Sequence, residues 1–196
     1  MKYVKKPIYA ILRSDRTVFT FKDISLLWRN PDKEAVIAGV NYYVNTGQLY
    51  RIRRGIYAKD ANYDKMELAC RIYTPAYVSF ETILGRSGIV FQYYERIFVA
   101  SYLSREISVD GQVYQYRKIK NAVLTDAAGV VNKEGLACAT PERAFLDTLY
   151  LNMDYHFDNV APLNWEEIFK ILPLYENKRM TGKVREFFNN SQKDKR

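Results

Sequence analysis

Between Asn30 and Ala58 the apolar pattern of the chain changes period, and that change narrows what it can fold into. Val36, Val40, Tyr43 and Val44 recur at i, i+4, i+7 and i+8, the core-facing stripe of a helix of about four turns. Asn30 supplies its N-cap, Pro31 a favoured first helical residue, and Gly47 is placed to stop it. Leu49 to Ala58 then reads as two short β-prone runs around Gly55, hence a hairpin. Upstream, Lys5 to Leu12 forms a short helix with Pro7 in its opening turn and Ile8, Ala10, Ile11 and Leu12 as buried candidates. Val18 and Phe19 suit a brief strand. Thr20 caps a second helix, with Asp23 completing an acidic capping box and Ile24, Leu27 and Trp28 on one face. Two helices joined at Arg29 and Asn30, followed by a hairpin, predict a winged helix-turn-helix whose second helix enters the major groove.

Charge follows the same division. Residues 1–61 hold 12 Lys and Arg against 5 Asp and Glu, whereas the remaining 135 hold 18 against 17, so nearly all of the net +8 lies in the first third. That asymmetry points to a polyanion-binding module. The free face of the Gly47-terminated helix carries Lys33, Ile37, Asn41, Asn45 and Gln48. In the hairpin Arg51, Arg53 and Arg54, flanked by Tyr50 and Tyr57, can reach phosphate oxygens or the minor groove, and Lys59 extends the basic set. The alternative is a hairpin with solvated arginines. Asp32 and Glu34 repel phosphates at the start of the helix while stabilising its dipole, which shifts base contact to Lys33, Asn41 and Asn45, asparagine being able to pair with adenine in bidentate fashion.

The rest of the chain predicts an α/β domain over residues 62–188 and a mobile polar tail over 189–196, giving an α+β chain overall. Asn62 caps a helix bridging the two domains, with Met66, Ala69, Cys70 and Tyr73 on one face. Tyr77 and Val78 end a strand, Ser79 caps a short helix closed by Gly85 and Gly88, and Arg96 to Ala100 is a strand. Asp110-Gly111 between Ile107–Val109 and Gln112–Tyr116 is a strong hairpin signal; Asn132 to Gly135 between Val130-Val131 and Leu136–Ala139 is another, and together they imply an antiparallel sheet. Thr140-Pro141-Glu142 opens a largely buried helix carrying Phe145, Leu146, Leu149 and Tyr150. Asn164 caps a helix from Trp165 to Leu172 ended by Pro173, and Arg179 to Phe188 form the last helix.

Catalytic chemistry finds little support. The single histidine, His156, would have to serve any triad or multi-histidine site, and Cys70 and Cys138 lack metal-ligand spacing and read as small buried hydrophobes. Gly85-Arg86-Ser87-Gly88 has the look of a nucleotidyltransferase turn, but no Asp-x-Asp pair follows, and it reads as a helix terminus. Pro31-Asp32 and Glu176-Asn177-Lys178 hold the letters of a nuclease site at opposite ends of the chain. Glu142, Arg143 and Asp147 read as a capped helix with an internal ion pair. No cofactor or metal is expected. No stretch reaches the ~20 apolar residues that span a bilayer, and Met1 to Leu12 lacks the run of a secretory signal, so a soluble cytoplasmic protein is expected.

Three segments, in this order and spacing, carry a resemblance: Gly47 to Ala58, Tyr77 to Leu84 (YVSFETIL) and Ala139 to Asp147 (ATPERAFLD). Over roughly Val18 to Leu151 the chain resembles the AbiEi-like antitoxins of bacterial abortive-infection, type IV toxin–antitoxin systems. The resemblance implies an N-terminal winged helix-turn-helix that represses the antitoxin's own operon by binding double-stranded operator DNA, and a C-terminal domain that counters a nucleotidyltransferase toxin. A stable complex with that toxin is not implied, and self-association on DNA is compatible with such a module. The acidic start of the DNA-reading helix departs from the pattern. A stand-alone regulator or adaptor whose C-terminal domain serves another protein or ligand is the competing expectation.

Overall fold

The computed structural model describes residues 7–193. Lys5 and Lys6 of the expected first helix, and 194–196 of the expected tail, lie outside the described residues. The fold is mixed α+β and divides into two units, one ending at Ile72 and the other beginning at Tyr73.

In the first unit, α1 (Ile8–Leu12), β1 (Val18–Thr20), α2 (Phe21–Trp28), α3 (Lys33–Asn45), β2 (Tyr50–Arg53), β3 (Ile56–Ala58) and α4 (Lys65–Ile72) follow in order. The capping box forms as the sequence requires: Thr20 Oγ1 accepts from Asp23 N at 3.1 Å and Asp23 Oδ2 accepts from Thr20 N at 2.8 Å. Ile24 is buried and Trp28 packs on the core, but Leu27 turns outward instead of sharing their face. The cap of α3 is Asp32, not Asn30. Its Oδ1 accepts from Glu34 N at 2.9 Å and Ala35 N at 3.2 Å, while Asn30 Oδ1 accepts from Asp32 N in a turn around Pro31. Gly39 has no side chain to hold Trp28 away; a Cβ there would stand 2.9 Å from the indole ring. At the far end Gly47, at φ +71°, lets Gln48 N–H turn back onto the Tyr43 carbonyl at 2.8 Å.

A three-stranded antiparallel sheet in the order β1-β3-β2 closes this unit, with a register shift between Arg51 and Arg53. Ile8, Ile11, Phe19, Ile24, Val36, Val40, Tyr43, Leu49 and Tyr57 form one apolar core, so Ala10 and Leu12 of α1 are not among the buried residues expected there. α4, the expected bridging helix, falls within this unit. It is capped by Asp64, which accepts from Met66 N and Glu67 N, rather than by Asn62. Glu67 Oε2 accepts from both Thr17 N (2.8 Å) and Thr17 Oγ1 (2.7 Å), and Thr17 Oγ1 accepts from Asp64 N, so the helix is stitched to the residue before β1. The division thus falls after this helix rather than after Ala61.

The second unit holds β4 (Ala76–Val78), α5 (Glu81–Arg86), β5 (Ile97–Ser101), β6 (Arg105–Val109), β7 (Gln112–Lys118), α6 (Asn121–Leu124), β8 (Val130–Lys133), β9 (Leu136–Ala139), α7 (Pro141–Leu151), α8 (Trp165–Ile171), a 3₁₀ turn (Leu172–Tyr175) and α9 (Lys178–Lys193). The strands form one sheet in the order β6-β7-β5-β4-β9-β8. Both expected hairpins are present, but the sheet is mixed: β5 and β7 pair in parallel, as do β4 and β9. The reason lies in burial. The β6–β7 hairpin enters the sheet as a unit, and its inner strand is β7 because that strand carries the fully buried Tyr114 and Tyr116.

Phe145 on α7 lies 4.6 Å from Phe157 and 5.7 Å from Phe187 between ring centroids, the middle of an aromatic core reached by α9. Helix α9 runs on to Lys193, well past the expected stop at Phe188. Residues 189–193 are therefore not a mobile tail: Met180, Val184 and Ser191 are buried along one face, and Ser191 Oγ donates to the Phe188 carbonyl. Helix α8 ends at Ile171, one residue short of the expected stop, and Pro173 sits in the first turn of the 3₁₀ segment that follows. Cys70 is buried and Cys138 half-buried. Among the described residues no helix is long and apolar enough to cross a membrane.

Candidate nucleic-acid interface

The capping of α3 by Asp32 reorients the acidic start that the sequence made conspicuous. The carboxylate folds over the helix's own N–H groups, where it satisfies two donors and the positive end of the dipole. Because Val36, Val40 and Tyr43 point into the core, the helix leaves Lys33, Ile37, Asn41, Tyr42 and Asn45 exposed. Ile37 and Tyr42 are respectively 42% and 59% exposed. Gln48 is exposed beyond the helix end, its Nε2 donating to Thr46 Oγ1 at 3.2 Å.

The hairpin adds cations to that face. Arg51 is exposed on β2, and its Nη2 donates to Asn41 Oδ1 at 2.7 Å, joining strand to helix across ten residues of sequence. Arg53 and Arg54 are exposed at the end of the same hairpin. Three residues of the expected set stand elsewhere. Tyr57 is 8% exposed, a member of the apolar core, with its ring centroid 5.8 Å from the Arg51 guanidinium carbon; it supports Arg51 and cannot reach a phosphate. Tyr50 is half-buried and stacks on Tyr63 at 6.2 Å. Lys59 is half-buried and its ammonium donates to the Ser14 carbonyl. Alternation could not have flagged Tyr57: it pairs with the exposed Arg51, and all three residues of β3 are buried.

A second polar cluster lies in the other unit and has a different character. Arg143 and Asp147 on α7 are both 0% exposed, with Nε to Oδ1 at 3.2 Å. Asp147 also accepts from Tyr175 Oη at 2.7 Å, Tyr77 Oη at 2.9 Å and Ser79 Oγ at 2.7 Å. Arg143 donates onward to the carbonyls of Ala128 and Val123. Ser79 is therefore a buried donor and not a helix cap; α5 starts from Phe80, which has φ 56° and no side-chain cap. Burial, then the Asp147 charge, pushes the Tyr77 and Tyr175 phenols well above their ordinary range. Burial also raises the Asp147 carboxyl against the opposing pull of Arg143 and the hydroxyls, while at Arg143 burial works against the charge but Tyr175, Asp147 and Tyr77 together hold its pKa up. With every charged atom enclosed and partnered, this cluster ties β4, α7 and the 3₁₀ turn together and offers no surface to a substrate. The i, i+4 spacing of Arg143 and Asp147 announced the ion pair; Tyr77, Ser79 and Tyr175 had no local signal. Glu142 stands apart from it, accepting from Asn164 N.

The remaining catalytic candidates do not assemble. The His156 side chain is 87% exposed, 3.9 Å from Asp158, and Gly85 to Gly88 form the end of α5. Asp32 is spent as a helix cap and Glu176 pairs with Lys120 at 2.7 Å. Among the described residues no group of three or more His, Cys, Asp or Glu is arranged to hold a metal ion.

No family model matches the chain, and no curated protein matches it. Among solved structures, that of the Rv2827c protein from Mycobacterium tuberculosis is similar to it, covering 92% of this chain and 75% of that chain with a TM-score of 0.50 and 14% sequence identity. At that identity the likeness is one of fold, and it shows the mixed α+β architecture.

Proposed function

We propose that this chain is a non-catalytic, cytoplasmic, DNA-binding transcriptional regulator whose first unit is a winged helix-turn-helix, with α2 and α3 as the helix pair and the β2–β3 hairpin as the wing. The observation that carries the reading is the Arg51–Asn41 bond, which makes the exposed face of α3 and the basic hairpin one surface. Lys33, Asn41, Asn45, Gln48, Arg51, Arg53 and Arg54 then face the duplex, with Lys59 bracing the scaffold. Charge supports the same assignment, since the hairpin has no acidic residue between Gln48 and Lys59. In keeping with the antitoxin-like sequence landmarks, the regulator represses its own operon and its second unit counters a nucleotidyltransferase toxin. Titration of the full chain against its own upstream DNA and a scrambled duplex, at fixed salt, tests the DNA half of the reading: equal, weak binding to both defeats it. Growth rescue on co-expression with a neighbouring toxin tests the other half.

A second reading has one observation in its favour. Phe91 and Tyr93 in the segment between α5 and β5 are 70% and 84% exposed, large aromatics of the kind that anchor protein contacts. In that reading the second unit is an adaptor for another protein, and rescue of a toxin fails while DNA binding persists.

A further inference from the structure

We infer that Arg51 is the base-reading side chain of the DNA surface, selecting guanine, and that Asn41 is its positioning residue rather than a reader of adenine. The inference rests on the DNA-binding reading above and refines it.

Three features of the site lead there. Arg51 leaves strand β2 yet its guanidinium is held at the exposed face of α3, by the 2.7 Å bond to Asn41 Oδ1 on one side and the Tyr57 ring 5.8 Å away on the other. Arginine is long and loses much rotamer freedom on binding; a guanidinium already fixed at the groove-facing surface has less to lose. Asn41 spends on this task the atom that adenine recognition needs. A bidentate Asn–adenine pair requires Oδ1 to accept from adenine N6 while Nδ2 donates to N7. With a cation bonded to Oδ1, a donor N6 amino group meets another donor array, whereas guanine presents O6 and N7, two acceptors that suit an arginine fork. The remaining N–H groups of the guanidinium serve that purpose. Arg53 and Arg54, past the register shift in β2 and at the hairpin turn, are left with the sequence-independent phosphate contacts.

The test is selection of the full-length chain on a randomised duplex library, followed by sequencing, for the wild type, Arg51→Ala, Asn41→Ala and Asn41→Asp. Both side chains are exposed, and thermal melting verifies that each variant is folded. The wild type is expected to select a guanine whose preference falls roughly 5- to 150-fold in Arg51→Ala, the equivalent of one bidentate base contact. Asn41→Ala relaxes the same position, and Asn41→Asp, which keeps an acceptor for Arg51, restores it even though overall affinity drops. An adenine preference lost in Asn41→Ala and kept in Arg51→Ala overturns the inference while leaving DNA binding intact, as does binding without any guanine preference that depends on Arg51. Absence of duplex binding by the wild type overturns the inference together with the reading beneath it.

Discussion

The two units use arginine in opposite ways. In the first, Arg51, Arg53 and Arg54 stand in solvent on a short hairpin, and acids such as Asp23, Asp32 and Glu67 are absorbed by helix starts and by Thr17. In the second, Arg143 is sealed in the core against Asp147, and Arg117 is stacked 4.3 Å from the Phe98 ring while bound to Glu81. The first unit, where Lys and Arg outnumber Asp and Glu, thus keeps cations in solvent, while the second pairs two of its arginines with acids inside its fold. Net charge per segment reports the excess; the geometry shows which cations it leaves available.

If that contrast is right, the buried pair should be the most sensitive point of the molecule. Asp147→Asn leaves the Arg143 charge enclosed without its counter-ion and should cost about 3–5 kcal/mol, the usual penalty for breaking a buried pair from one side. Urea unfolding followed by circular dichroism measures it; a loss under about 1 kcal/mol would show the cluster to be solvated after all. The same cluster predicts an alkaline limit. Tyr77 and Tyr175 have folded pKa values raised above that of an unfolded tyrosine, so their contribution is complete below about pH 10 and is lost as pH rises beyond it, because the unfolded chain releases protons that the folded one retains. The urea midpoint of the second unit should fall between about pH 9 and about pH 11, and Tyr77→Phe should make that fall shallower.

Smaller effects belong to the first unit. Thr20→Ala removes one half of the capping box and should destabilise that unit by about 1 kcal/mol, read from its own unfolding transition. Substituting Arg53 or Arg54 by alanine should move stability by less than about 0.5 kcal/mol. Each lost phosphate contact should nevertheless lower the slope of log K against log salt by about 0.9, equally on specific and random DNA. A double variant that keeps both affinity and slope would make the hairpin arginines bystanders and erase the contrast between the units.

What sequence could supply was mostly local. The Thr20–Asp23 box, the Gly47 stop, the Asp110-Gly111 turn and the Thr140-Pro141 helix start are each decided within a few residues, and each is where the pattern placed it. Local signals stop deciding where two neighbouring residues compete for one role. Asn30 and Asp32 can both cap, and the winner is the one whose carboxylate reaches two N–H groups; Asn62 lost to Asp64 for the same reason. Long-range pairing was beyond local signals: nothing near Val78 indicates that it pairs in parallel with Cys138. The site was legible by face but not by contact. The exposed positions on α3 followed from the apolar stripe opposite them, while the Arg51–Asn41 bond depends on how a strand lies over a helix. The polar Asn189, Asn190 and Gln192 hide the last turn of α9 from the sequence, although the buried positions 180, 184 and 191 keep the helical spacing.

The Thr17–Glu67 stitch bears on how such a protein could be recombined. The charge boundary after Ala61 looks like the natural seam for exchanging one N-terminal unit for another, but a graft cut there would strip Thr17 of the carboxylate that binds both its N–H and its hydroxyl, and Asp23 of the Arg71 cation 3.8 Å away. Such a unit travels intact only if it brings α4 with it. The unit of exchange, in shuffling by nature or by design, therefore ends at Ile72, beyond the hairpin that carries the arginines.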